Sequence, residues 1–156
     1  MRASNLESVV AKLKKGGLGM GLLYLTYYCS IAAWSPFFNI YLRQIGQTGL
    51  QIGVLSSVRP LTMLFSQPLW GLAADVWGRR RTLLLAASAS AILVLGFALG
   101  RGFGFFLAWN VVLALFLNPI IPLNDSLTLD YLEDKPHLSY GKIRWWGAAG
   151  WGLAAL

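Results

Sequence analysis

From Leu18 to Leu42 the chain runs for 25 residues without a formal charge. At ~1.5 Å per residue that is enough to cross the ~30 Å hydrocarbon core of a bilayer with some tilt. It exceeds the apolar core of a signal peptide, and no convincing cleavage site follows, so it reads as an uncleaved helix. In hydrocarbon every backbone polar group must be bonded internally, and a stretch of this length does so as a helix. Further apolar stretches follow at about 52–74, 82–100 and 103–131. A fifth begins near Lys142 and is only about fourteen residues old when the sequence reaches Leu156, so it reads as truncated and the chain as a fragment or one that ends mid-helix. The expected fold is an all-α membrane protein with about four complete transmembrane helices and the start of a fifth. Residues 1–17 form a basic cytoplasmic segment ahead of a transmembrane domain at 18–156.

Composition agrees. Hydrophobic residues make up 56% of the chain and charged ones 12%, against roughly 45–50% and 25% in soluble domains. A net charge of +7 would suit nucleic acid, but the basic residues flank apolar spans and line no polar face, which removes that class. The single cysteine, Cys29, excludes an intrachain disulfide framework or a thiol metal cluster, and the single histidine, His137, argues against a His-based metal site. There is no G-x-S-x-G, no H-E-x-x-H and no phosphate-binding glycine loop, so neither enzyme chemistry nor a cofactor has support.

The charges also set an orientation. Arg2, Lys12, Lys14 and Lys15 precede the first span, Arg79, Arg80 and Arg81 follow the second, and Lys135, Lys142 and Arg144 follow the fourth. The opposite connections carry one each, Arg43 and Arg101. Ten basic residues against two place the N-terminus in the cytoplasm, in the cell membrane. Between the second and third spans lies Gly71-Leu-Ala-Ala-Asp75-Val-Trp-Gly78-Arg79-Arg80-Arg81, expected as a tight loop of about six residues. Gly78 permits the turn, Asp75 is placed for helix-end amides or the basic groups beside it, and the arginines anchor it on the cytoplasmic side.

Within the spans, Gly17/Gly21, Ala87/Ala91 and Gly96/Gly100 are small residues four apart, a spacing that lets helices pack closely. Pro36, Pro60, Pro68, Pro119 and Pro122 each remove a helical hydrogen bond and favour a kink. The densest distortion is Asn118-Pro-Ile-Ile-Pro-Leu-Asn124-Asp125. Intramembrane charges are costly and therefore functional candidates. Asp125, deep in the fourth span, and Arg144, early in the fifth, fall at comparable levels and form a plausible pair; Trp151, seven residues past Arg144, lies on nearly the same helical face. These three serve either as polar and aromatic contacts for a solute or as a structural ion pair with Trp151 in the packing. Arg59 contacts an anionic solute, snorkels outward, or meets a further helix; its depth argues against direct pairing with Asp125. Asp130 and Glu133 read as solvated helix-end charges.

The segment 71–81 resembles the signature between helices two and three of the major facilitator superfamily. The likeness extends to Pro36-Phe37-Phe38 with Tyr41-Leu42, to Ile52-Gly53, to Phe65-Ser-Gln67-Pro68-Leu69-Trp70-Gly71, and to Tyr140-Gly141-Lys142-Ile-Arg144-Trp-Trp-Gly147-Ala-Ala-Gly150-Trp151. From about residue 25 onward the chain is similar to the lactose-permease-like branch, which holds oligosaccharide/proton symporters and nucleoside symporters. It departs at Asp125, where lactose permease has a longer acid, and at Arg59, which has no counterpart there. The resemblance implies the N-terminal part of a six-helix half in a twelve-helix transporter built from inverted three-helix repeats. It also implies proton-coupled symport of a small polar solute, such as a sugar or nucleoside, by alternating access. Substrate contacts would fall on Asp125, Arg144, Trp151 and Arg59, and the conformational motif on Gly71, Asp75, Gly78, Arg79 and Arg80. Partners would be the lipid bilayer, the solute, a proton and the remaining helices of the full-length transporter. A chain that naturally ends at 156 would instead be a non-transporting membrane interaction or assembly protein.

With Cys29 removed, a single cysteine at position 47 should react with impermeant reagent from outside intact cells, and one at position 79 only after the membrane is opened. Labelling of position 47 solely from the cytoplasmic side would reverse the orientation.

Overall fold

The computed structural model describes residues 17–136 and 138–154. The expected basic segment, apart from Gly17, lies outside the described residues, as do His137 and the last two positions of the chain. Among the described residues the regular elements are all helical. They are α1 (Leu18–Gln44), α2 (Gly49–Trp77), α3 (Arg79–Leu95) with a 3₁₀ turn at Gly96–Ala98, α4 (Phe103–Leu117), α5 (Ile120–Glu133) and α6 (Tyr140–Ala154). The chain forms two compact units: one holds the residues up to Phe38 and from Thr128 onward, the other Asn39–Leu127.

Lengths and surfaces are those of a membrane protein. Arg79–Ala98 and Phe103–Glu133 are long and apolar enough to cross a bilayer, with mean hydropathy 1.8 and 1.9. α1 and α2 are longer still, at 27 and 29 residues. α2 turns large apolar side chains outward along its whole length, from Leu50 through Leu61, Leu64, Phe65, Leu69 and Leu72 to Val76. A helix facing water would put polar residues there; one facing lipid has no reason to.

In the Asn39–Leu127 unit, α4 packs against both α2 and α3. α2 opens on a capping box: the Gln51 N–H donates to Thr48 Oγ1 at 3.3 Å and the Thr48 N–H donates to Gln51 Oε1 at 2.9 Å. The core holds Leu55, Val58, Leu83, Ala86, Phe106 and Leu113. Phe97 stacks on Phe106 with centroids 6.1 Å apart, and Trp109 Nε1 donates to the Leu93 carbonyl at 2.7 Å.

The turn expected over residues 71–81 is much tighter than its sequence suggests. α2 continues through Asp75 to Trp77, and α3 starts at Arg79. Gly78 alone joins them, with φ 85° and ψ 137°, a conformation L side chains rarely adopt. Its N–H donates to the Ala74 carbonyl at 2.9 Å, its carbonyl accepts from the Thr82 N–H at 3.2 Å, and the fully buried Thr82 hydroxyl donates back to it at 3.0 Å. Asp75 therefore sits on the last turns of α2 and the three arginines on the first turn of α3.

The prolines divide into two groups. Helix continues through Pro36, Pro60 and Pro68. At Asn118-Pro119 it breaks, splitting the long apolar stretch into α4 and α5.

In the other unit, α1 and α6 approach at glycines. A Cβ on Gly21 would sit 2.6 Å from the Trp146 ring, one on Gly147 would meet Tyr28 at 2.7 Å, and one on Gly150 would strike the Leu25 backbone. Small residues at such positions let two backbones come close without a hydrophobic driving force. Gly150→Ala should therefore lower the unfolding midpoint in detergent by the equivalent of about 1–3 kcal/mol. Gly152→Ala, which meets nothing, should be neutral or slightly stabilising through helix propensity. Equal melting of the two variants would show that α1 does not seat on Gly150.

Candidate functional site

Arg59 lies ten residues into α2, about 15 Å along it at ~1.5 Å per residue. Its Nε donates to Asn118 Oδ1 at 3.3 Å. The same amide sends its Nδ2 to the Arg59 carbonyl at 3.0 Å and to Thr62 Oγ1 at 3.2 Å. With Nδ2 engaged by two acceptors, the orientation of the amide follows from its surroundings. Asn118 is buried and closes α4, where Pro119 can supply no N–H to the preceding turn. Two turns earlier on α4, Asn110 Nδ2 donates to the Leu55 carbonyl at 2.8 Å. Two asparagines thus reach across to carbonyls of Leu55 and Arg59, on either side of the carbonyl of Ser56 that Pro60 leaves without its helical N–H.

Asp125 is half-buried on α5 in the same unit. Arg59 does not pair with it: among the described residues its side chain bonds Asn118. Seven residues separate Asn118 from Asp125, about 10 Å of helix, so the two charges lie at different levels of one unit. In the same unit Gln67, Trp70, Gly71, Ala74 and Asp75 of α2, Arg79 of α3, and Pro119, Pro122, Leu123 and Ser126 line a cavity of about 160 Å³. Gly71, Asp75 and Arg79 thus share one wall, while Arg80 is exposed. Three arginines at the start of α3 oppose its dipole, so helix stability does not explain their presence.

Arg144 and Trp151 belong to the other unit, on α6. Arg144 Nη1 donates to the Tyr140 hydroxyl at 2.8 Å. Its guanidinium lies 5.9 Å from the centroid of the fully buried Tyr24 ring and 5.8 Å from that of Tyr140, within reach of a cation–π interaction. Trp151 is 42% exposed, which leaves an indole face open two turns further along the helix.

The sequence places Asn118 in a helix distortion and Tyr140 in the family-like block, but the roles of four residues as neighbours of the two arginines or of α2 did not follow from it. Asn110 and Asn118 could have been found as amides inside strongly apolar runs, and Tyr140 as the i, i+4 neighbour of Arg144. Tyr24 comes from a helix more than a hundred residues away, with no local signal.

A family model, the MFS_1 like family, matches residues 18–156. The chain belongs to the major facilitator superfamily. Within it the chain falls in the lactose-permease-like branch and is an integral membrane protein. It is 34% identical over 137 residues to the maltose permease of Geobacillus stearothermophilus, covering 86% of this chain and 34% of that protein. A probable 3-phenylpropionic acid transporter of Escherichia coli (strain K12) is 32% identical over 133 residues, 83% of this chain and 34% of that one. The lactose permease of Citrobacter freundii is 28% identical over 138 residues, with 80% and 32% covered. The chain spans about a third of the length of these relatives. No solved structure matches it.

Replacing Asn118 by leucine should strand the Arg59 Nε inside the superfamily chain and cost about 1–3 kcal/mol, read as a lower unfolding midpoint in detergent. Asn118→Asp, which restores an acceptor for Arg59, should recover part of the loss. Unchanged melting of Asn118→Leu would mean the amide bridge carries no stability.

Proposed function

We propose that the protein containing this chain is a secondary active transporter that moves a small polar solute, such as a sugar or nucleoside, across the cell membrane by proton-coupled alternating access. The observation that carries this reading is the family match over residues 18–156, together with polar and charged side chains kept inside apolar helices. In a bilayer such groups are expensive and persist where a solute or a conformational change uses them. The relatives' names give maltose, lactose and 3-phenylpropionic acid, so the solutes named in this branch extend from neutral sugars to a carboxylic acid.

In this reading Asp125 accepts hydrogen bonds from solute hydroxyls, Arg144 offers its donor fork to hydroxyls or a carboxylate, and Trp151 gives a sugar or base ring an aromatic face. Gly71, Asp75, Gly78, Arg79 and Arg80 form the conformational motif. The N-terminus faces the cytoplasm, as the distribution of basic residues favours.

The deciding measurement is uptake of radiolabelled maltose, lactose and uridine by cells expressing the product of the native gene, with and without an ionophore that collapses the proton gradient. Uptake abolished by the ionophore supports proton coupling; uptake indifferent to it overturns that part. Equilibrium binding to the purified protein should weaken in the order wild type, Trp151→Tyr, then Asp125→Ala, Arg144→Ala and Trp151→Ala. Alanine variants that lower folded yield and leave the affinity of the surviving protein unchanged would make these residues structural. Asp75→Asn and Gly78→Leu should reduce transport with insertion intact, and normal transport by both would leave the motif a topological anchor.

A further inference from the structure

We propose that Arg59 anchors a carboxylate carried by the transported solute. The proposal rests on the transport reading above and narrows it to solutes with an acidic group.

The bond to Asn118 decides among the fates open to an arginine in an apolar helix. A snorkelling side chain would run along α2 toward the headgroups. Arg59 instead turns its Nε to a buried amide on α4, so the guanidinium is held at the α2–α4 seam about 15 Å from the start of α2. Asn118 is neutral and takes one of the five N–H donors that arginine carries, leaving four. Among the described residues no carboxylate bonds the other four, and Asp125 lies about 10 Å further along the chain's path. A cation at this depth without an anion is costly.

The geometry suits a carboxylate in particular. Holding the guanidinium by its Nε side leaves the Nη1 and Nη2 donors for a bidentate carboxylate, the arrangement in which arginine binds most strongly. The plane of the fork is steadied before any solute arrives, because the Asn118 amide is itself fixed by the Arg59 carbonyl and Thr62 Oγ1 at 3.0 and 3.2 Å. Arg59 is half-buried, so the fork is shielded from bulk solvent and still open at one side. A neutral isostere would meet the same donors without the charge and gain far less.

The test uses the purified product of the native gene in neutral phosphatidylcholine nanodiscs, melted with increasing gluconate or benzoate and, in parallel, with glucose or benzamide. Carboxylates should raise the melting temperature where their neutral counterparts do not. In Arg59→Gln the concentration for half-maximal protection should rise about ten-fold or more. Arg59→Lys, which keeps the charge and loses the fork, should fall between. Equal protection by acid and neutral partner, or equal protection of wild type and Arg59→Gln, would overturn the proposal, and the wild-type comparison needs no variant to fold. Protection that appears only when phosphatidylglycerol replaces phosphatidylcholine would overturn it in favour of a lipid phosphate. A wild type that melts above Arg59→Gln with no solute and ignores every carboxylate would overturn it in favour of an acid supplied by the protein itself. Uptake of labelled gluconate or benzoate separates the two readings. Uptake equal in wild type and Arg59→Gln, without carboxylate protection, sinks the anchor and leaves transport standing. Carboxylate protection dependent on Arg59, with no uptake of any solute, sinks the transport reading and with it the claim that the bound carboxylate is cargo.

Discussion

Asn118 carries the constraint on which the Asn39–Leu127 unit turns. Two helices meet there at points where neither has a complete hydrogen-bond ladder: α4 ends before Pro119, and α2 has just passed Arg59-Pro60. In water such gaps would fill with solvent. In hydrocarbon freed carbonyls are costly, and a carboxamide, which donates and accepts from one short side chain, ties the two weakened stretches together here. Asn118 bonds the backbone and side chain of Arg59 and the Thr62 hydroxyl at once. Asn110 repeats the contact two turns away on Leu55. Cation, kink and helix contact therefore stand or fall together.

The other unit tolerates its cation by different chemistry. Arg144 lies near two tyrosine rings, whose faces are electron-rich, and bonds the hydroxyl of one of them. Its helix reaches α1 through glycines where Trp146, Tyr28 and the Leu25 backbone leave no room for a methyl group. One cation thus bonds an amide at a helix break, and the other bonds a tyrosine hydroxyl beside a close helix crossing. Substitution at Asn118 would disturb a polar network, whereas substitution at Gly150 would force two backbones apart.

The all-α membrane fold was legible because the signals that define it run along the chain: an uncharged stretch of 25 residues, apolar blocks of similar length after it, and basic residues gathered between them. The break at Asn118-Pro119 was legible for the same reason, as a local cluster of prolines and amides. The extent of the turn at 71–81 was not. Asp75 looks like a loop residue, yet it completes a helix whose last residues, Val76 and Trp77, show apolar surface. The bond between Arg59 and Asn118 was not legible either, because the two lie 59 positions apart. A contact at that separation leaves no periodicity to read.

The single-residue joint at Gly78 has a mechanical consequence. A connection of several residues absorbs displacement, because its backbone dihedrals can redistribute when one helix slides past another. Gly78 has two, and both of its backbone polar groups are already tied to Ala74 and Thr82. Axial travel of α2 is therefore handed to α3 with almost no lost motion, as through a crank rather than a tether. A spacer or epitope inserted at this joint would decouple the two rods even if each still crossed the membrane, whereas the same insertion at 99–102, between the 3₁₀ turn and α4, would enter a connection that already has slack.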